Sequence, residues 1–335
     1  MPAQILPNPV DRAEILTVVD NVFDLLLTST DVVKRIGPGG PEGQRAPEVD
    51  APLLESGHAD DSPVAEHGLS FLVSITSGES RRTVLFDTGS SVEGVVHNLR
   101  ALGVDPGAIE TIVLSHGHFD HTIGLNGLAR ELHPLPPLLA HPDAWLRRRV
   151  AIPGRQPFEL PTTSLEKVRA AGFQVTEERR PSSLLDGDLV VTGEIERTTE
   201  FEQGLPVQQA LREGEWQPDP LLHDDQALVA HLRDRGLVVI TGCGHAGLIN
   251  TVRYARKITG IDRVHAVVGG FHLATPAFEP RIPPTVEALR EFDPQVVAPT
   301  HCTGWRAIHA LAAAFPDAFI PGSVGTRYVF QGGGE

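Results

Sequence analysis

The stretch SHGHFDHTIG, residues 115–124, sets His116, His118, Asp120 and His121 within six consecutive positions. Each of these groups must be hydrogen-bonded, solvated or bound to something, because burying it unpaired is costly. The stretch overlaps the end of TIVLS, residues 111–115, a β-branched run of the length of a buried strand. The histidines therefore begin where a strand ends, which is where open α/β sheets carry their chemistry. On a tight turn the first two imidazoles point to one side, while Asp120 and His121 serve a neighbouring position. A polar turn of solvated histidines is the competing reading, and the histidines at later strand ends argue against it.

The same phrase of strand, turn and histidine returns in GLVVITGCGHAG (residues 236–247), RVHAVVGGFHL (263–273) and QVVAPTHCTG (295–304). With the first stretch, four strand ends bring His116, His245, His272 and His301 toward one edge of the fold. Upstream, EILTVV (14–19), LSFLVSI (69–75) and TVLFD (83–87) read as strands. Residues 90–105 carry Val92, Val95, Val96, Leu99 and Leu102 at helical spacing, ended by Gly103. WRAIHALAAAF, residues 305–315, reads as a helix with Trp305, Ile308, Leu311, Ala312 and Phe315 inward.

The 335 residues suit one large α/β domain with insertions, and 41% hydrophobic content supports a substantial core. A net charge of −15 argues against general binding to nucleic acid or anionic membranes. No apolar run reaches bilayer length, and the first residues lack a basic start and apolar block, so a cytoplasmic protein is expected. Oligomeric state is not legible from the sequence. The two cysteines, Cys243 and Cys302, imply no disulfide framework. Cys243 reads as a small buried thiol in a glycine turn, with a thiolate ligand as the alternative, and Cys302 as pointing away from any metal. Residues 37–63, rich in Gly, Pro and acids, read as a mobile loop or lid on the metal-facing side. Residues 127–222 read as an elaboration packed on the core. Arg147–Arg149 read as the solvated face of a helix, with a phosphate grip as the alternative.

Four phrases in order, LFDTG around Asp87, SHGHFDH, GCGH around His245 and PTHC around His301, resemble the metallo-β-lactamase superfamily. That resemblance implies an α/β fold, the αββα sandwich, with metals at one edge. It implies that His116, His118 and His245 hold a first metal, and that Asp120, His121 and His301 hold a second. Asp87 would lie beneath and orient ligands, with Asp224 as a further supporting acid. The cofactor expected is one or two divalent ions, zinc before manganese or iron. One departure stands out. The superfamily commonly supplies a bridging aspartate where this chain reads GGFHL, with His272 at that place. A neutral imidazole cannot bridge two cations, so the second site is expected to fill weakly. Further phrases resemble the dihydropterin–aminobenzene ribofuranosyl-phosphate synthase-like branch. They are VDN at Asp20–Asn21, AEHGLSFLV around His67, TGEIERTTEFE around Glu194, HDDQALV at Asp224–Asp225, TGCGHAGLINTV and VVGGFHL.

The leading expectation is a metal-dependent hydrolase using metal-bound hydroxide on a small or medium ester, lactone, amide or phosphoester. Asp120 would orient the water or take its proton, His272 would act beside it, and His67, Asn21, Phe119 and Phe271 would line the substrate pocket. One alternative is a transferase of the pterin synthase type. It needs an aromatic platform, for which Phe119, Trp145, Phe201, Phe271 and Trp305 are the candidates. The other is a non-catalytic, metal-assisted ligand-binding protein.

Overall fold

A computed structural model describes residues 4–37, 40 and 46–333. Two large sheets face each other. The first has eight strands in the spatial order Val175–Glu177, Leu138–Ala140, Thr111–Val113, Ser80–Phe86, Ser70–Ser77, Arg12–Val19, Arg327–Gln331 and Val33–Lys34. The second has seven. Six run in the order Ser182–Leu184, Leu189–Val191, Ala227–Leu232, Gly236–Thr241, Val264–Gly270 and Val296–Thr300, and Pro9–Val10 pairs alongside Ala227–Leu232.

Alternation along the strands explains the layering. In Ser70–Ser77, Phe71, Val73 and Ile75 enter the core between the sheets, and Leu72 turns to the opposite face. In Gly236–Thr241, Val238 and Ile240 face inward, while Leu237 and Val239 face outward. Those outward residues are buried too, because helices cover both outer faces. Gly94–Ala101, Leu125–Glu131 and Leu165–Ala170 pack on the eight-stranded sheet through Val95, Leu99, Leu125, Leu128 and Val168. Leu248–Thr259, Ile282–Arg290 and Trp305–Ala314 cover the seven-stranded sheet through Ile249, Val252, Leu289, Ala307 and Leu311. The result is helix, sheet, sheet, helix, as expected from the resemblance.

Several sequence readings need correction. Trp305 is 73% exposed, not inward. Its helix buries Ala307 and Leu311, and a residue two before Ala307 lies about 200° around the helix from it. Arg147–Arg149 do not form a helix: Arg148–Val150 is a strand, and Arg148 is 2% exposed. Within residues 37–63, positions 38–39 and 41–45 lie outside the described residues. The remainder includes a hairpin, Glu48–Asp50 with His58–Asp60, followed by Asp61, which pairs with Arg100 at 3.2 Å. Residues 127–222 supply strands to both large sheets. They also form a separate sheet in the order Phe158–Glu159, Arg148–Val150, Gln208–Arg212 and Glu215–Pro218.

Candidate metal centre

Three parallel strands, Gly236–Thr241, Val264–Gly270 and Val296–Thr300, end at the same edge of the seven-stranded sheet. The turns after them carry His245, His272 and His301. From the facing sheet, Thr111–Val113 ends at Ser115–His121. The turn there is tight: a Cβ on Gly117 would lie 1.8 Å from the carbonyl oxygen of Ala144, so no other residue fits. Asp87, His272 and His301 have positive φ values of 63°, 42° and 47°. Such backbone is costly outside glycine and gathers at functional sites.

The side chains converge. His118 Nδ1 lies 3.1 Å from His245 Nε2, and the His116 ring centroid is 4.6 Å from that of His118 and 4.8 Å from that of His245. His301 Nε2 lies 3.3 Å from Asp120 Oδ2, and His121 Nε2 lies 3.1 Å from the Cys243 sulfur. Among the described residues, three donor groups lie within 4.8 Å internally: Asp120, His121, Cys243 and His301; His116, Cys243 and His245; and Cys243, His272 and Cys302. His116 Nε2 is buried without a hydrogen-bond partner, and His301 Nε2 meets the Asp120 carboxylate. An orphaned imidazole nitrogen inside a cluster of donors is what a divalent metal requires, so the residues fit one.

The electrostatics differ between the two imidazole sets. Burial, then the neighbouring imidazoles of His121, His118 and His245, keep His116 well below its usual range. Burial, then His272 and His118, do the same to His245. Burial foremost, with Arg148 adding to it, lowers His118 to about 4. These rings are therefore neutral, as ligands must be. Burial opposes protonation of His121, but Asp87 and Asp120 outweigh it and raise the ring to about 9. Burial also works against ionising Asp120, yet His121, His301 and His118 hold its carboxyl far below the usual carboxylate range.

The sequence profile of the metallo-beta-lactamase superfamily matches residues 65–256. The chain belongs to the metallo-beta-lactamase superfamily. Over 76% of its length it is 33% identical to the 7,8-dihydropterin-6-methyl-4-(beta-D-ribofuranosyl)-aminobenzene-5'-phosphate synthase of Methanocaldococcus jannaschii, covering 87% of that protein. It is also 31% identical to an uncharacterised protein of the same organism, over 78% of this chain and 92% of that one. A solved structure described as a metal-dependent hydrolase of the beta-lactamase superfamily shares the fold, with a TM-score of 0.68 and 24% identity. The match covers 95% of this chain and 99% of that one.

In this metallo-beta-lactamase fold the candidate ligands are held from behind. Asp87, wholly buried, accepts from Ser115 N and Ser115 Oγ at 2.7 Å each and lies 2.7 Å from His121 Nδ1. Ser115 Oγ is 2.9 Å from His116 Nδ1. Asn21 Oδ1 is 3.0 Å from His301 Nδ1, which leaves Nε2 facing the cluster. Asp20, raised to about 6 by burial, accepts from His301 N and Asn21 N. Asp224 accepts from Gly117 N at 2.9 Å and is clasped by both terminal nitrogens of Arg148, at 3.1 and 2.6 Å. Such partners fix which ring nitrogen is free for a metal.

Sequence reasoning missed Ser115, Arg148, Gln208 and the placement of Cys243. Gln208 Nε2 lies 3.1 Å from His118 Nε2, while Gln208 Oε1 has no partner. Exchanging the two ends of that amide satisfies Oε1 and turns His118 Nδ1 into the free nitrogen. Ser115 adjoins the motif and could have been suspected; Gln208 comes from the irregular middle and carries no signal. Cys302 does not point away from the cluster, since its thiol donates to Cys243 O at 3.2 Å. Burial raises the Cys243 thiol well above its usual range, with Cys302 adding to the effect.

Of the expected pocket residues, His67 stands at the mouth with a 66% exposed side chain. Its Nε2 is 3.6 Å from Asp120 Oδ2, and its Nδ1 is 3.3 Å from Asn21 Nδ2. Phe119 lines a cavity of about 250 Å3 with Ile123, Thr162, Thr163 and Phe173. Phe271 is 2% exposed in the core under the helices and lines a crevice of about 10 Å3 beside His245 and His272. That crevice holds at most a water molecule. The His272 ring lies 4.1 Å from His245 and 4.5 Å from Phe278. Among the described residues no helix is long and apolar enough to cross a membrane.

Proposed function

We propose that the chain is a metal-dependent hydrolase of a small or medium ester, lactone, amide or phosphoester. The observation that carries this reading is the convergence of buried imidazoles, the unpartnered His116 Nε2 among them, and one ionised carboxylate in a single cluster of donor groups. His116, His118 and His245 would hold one ion, and Asp120, His121 and His301 a second. Imidazole with carboxylate favours zinc, with iron and manganese next. When bound, a divalent ion polarises a substrate oxygen and yields a nucleophile from water near neutral pH. Asp120 orients that water and takes its proton at Oδ2. His67 and Asn21 position the substrate at the mouth. His272 packs on His245 and limits how that ring can turn. The test is a panel of the four substrate classes with and without chelator, on the parent and on Asp120→Asn. Turnover should vanish on chelation, return with metal, and fall about 10²–10⁴-fold in the variant. Absence of any chelator-sensitive turnover would sink the reading.

A transferase is the second reading, favoured by the 33% identity to the Methanocaldococcus synthase. Against it, four of the five aromatic candidates lie apart from one another, while Phe119 alone lines a cavity of about 250 Å3. Trp305 is in solvent, Phe271 and Phe201 pack under the helices of the seven-stranded sheet, and Trp145 packs on the opposite layer. Incubation with a dihydropterin diphosphate and an aminobenzene ribofuranosyl-phosphate decides, since coupled product appears only in the transferase case.

A further inference from the structure

Two dications held close together repel strongly, and an anionic donor shared between them offsets that repulsion. Among the described residues, Asp120 is the one carboxylate in the donor groups, and it belongs to one group. His272 belongs to a group with two thiols and is neutral as a ligand. Cys243 is the residue common to all three groups. Its sulfur lies within 4.8 Å of the donor atoms of His116 and His245 on one side, and of Asp120, His121 and His301 on the other. It is 3% exposed and reaches His121 Nε2 at 3.1 Å. One of the surrounding nitrogens, His116 Nε2, is buried and unpartnered, and it belongs to one of these groups. The position is structurally enforced. Gly242 before it cannot carry a side chain, since a Cβ there would lie 2.1 Å from Ser115 Oγ, and Gly244 after it has φ +70°. The glycines on either side let the turn come close enough to place a sulfur between the two imidazole sets.

We propose that Cys243 is the anionic bridge of a two-metal centre, its thiolate shared between the ion held by His116, His118 and His245 and the ion held by Asp120, His121 and His301. The proposal rests on the metal-site reading and revises the expectation of a weak second site. Thiolate is a good ligand for zinc and iron, and sulfur has lone pairs for two metals. The thiol proton leaves to solvent as the ions bind, and no electron is transferred. Cys302 lies outside the two imidazole sets.

The test is a cobalt(II) titration of the metal-stripped full chain, followed by near-ultraviolet absorption and by elemental analysis after gel filtration. A bridging thiolate gives a sulfur-to-cobalt charge-transfer band that grows through both the first and the second equivalent, with two cobalts retained per chain. The band should vanish in Cys243→Ser, which should retain at most one cobalt, and should persist in Cys302→Ser. Parent-protein titration decides even where a variant fails to fold. A band that grows over one equivalent alone makes Cys243 a terminal ligand and overturns the bridge. Bound cobalt without the band, or a band lost in Cys302→Ser and kept in Cys243→Ser, overturns it as well. Failure to retain any cobalt overturns the metal-site reading together with the bridge.

Discussion

Single residues set the state of the candidate ligands. Asp87 commits its carboxylate to Ser115 and His121, so His121 presents Nε2 to the cluster. Asp87→Asn should weaken metal retention about 10–100-fold while leaving far-ultraviolet circular dichroism unchanged. Competition against a fluorescent chelator reads this, and unchanged affinity would remove Asp87 from its orienting role. His116→Ala and His118→Ala should abolish retention altogether, and parent-like metal content in either would refute the ligand assignment. Away from the centre, His265 gives a clean pH test. Burial, reinforced by Arg235 and Arg263, lowers it from 6.5 to about 4. The unfolded chain therefore binds this proton first as pH falls. Stability from His265 is whole above pH 6.5 and is lost progressively down to about 4. Denaturant unfolding of His265→Gln should lose less stability than the parent across that window, and parallel curves would contradict the shift.

At the scale of elements, the histidine turn depends on a strand that the sequence placed on a solvated helix. Arg148, in Arg148–Val150, bonds Asp219 at 3.0 Å and Asp224 at 2.6 Å, all three nearly or wholly buried. Asp224 in turn accepts from Gly117 within the turn. Removing the cation leaves a buried carboxylate unpaired. Arg148→Met should cost about 3–5 kcal/mol and also weaken metal retention. Chemical denaturation measures the first, and a loss under about 1 kcal/mol, of the order of a surface pair, would show that the network is not structural. A second element is held in the same way, by a side chain from a distant segment. Helix Leu248–Thr259 begins on Gly247 without a side-chain cap of its own, and buried Glu202 accepts from Ile249 N and Asn250 N at 3.0 and 2.8 Å. Glu202→Ala should cost about 1–2 kcal/mol through the lost cap, read as a lowered denaturation midpoint.

For the whole molecule, the cluster joins the two sheets. His116, His118, Asp120 and His121 come from one sheet, and Cys243, His245 and His301 from the other, so a bound ion ties together halves that otherwise meet through apolar packing. An ion that binds the native state alone stabilises it by about 2.7 kcal/mol at a hundred times its dissociation constant. Chelation should lower the melting temperature by several degrees, in proportion to the free metal removed. Identical melts with and without chelator, checked by elemental analysis, would rule out a metal linking the sheets.

The alternating and continuous apolar runs were enough to read individual strands from sequence, because burial on one or both faces leaves its mark on every residue of a strand, whereas the two-sheet sandwich was implied by the resemblance to the superfamily. The order of SHGHFDH, GCGH and PTHC was likewise legible, since ligand types at strand ends are local patterns. Other features had no local pattern. Whether Cys243 is an inert thiol or the centre of three donor groups depends on where two sheets meet, and no spacing along the chain encodes that distance. The burial of Arg148 follows from two acids more than seventy residues away. Gln208 reaches His118 from ninety positions downstream. Trp305 reads as inward on its helix, but the helix phase set by Ala307 and Leu311 turns it to solvent. Periodicity records which face of an element is buried; which polar groups then share the buried space is decided when the faces close on each other.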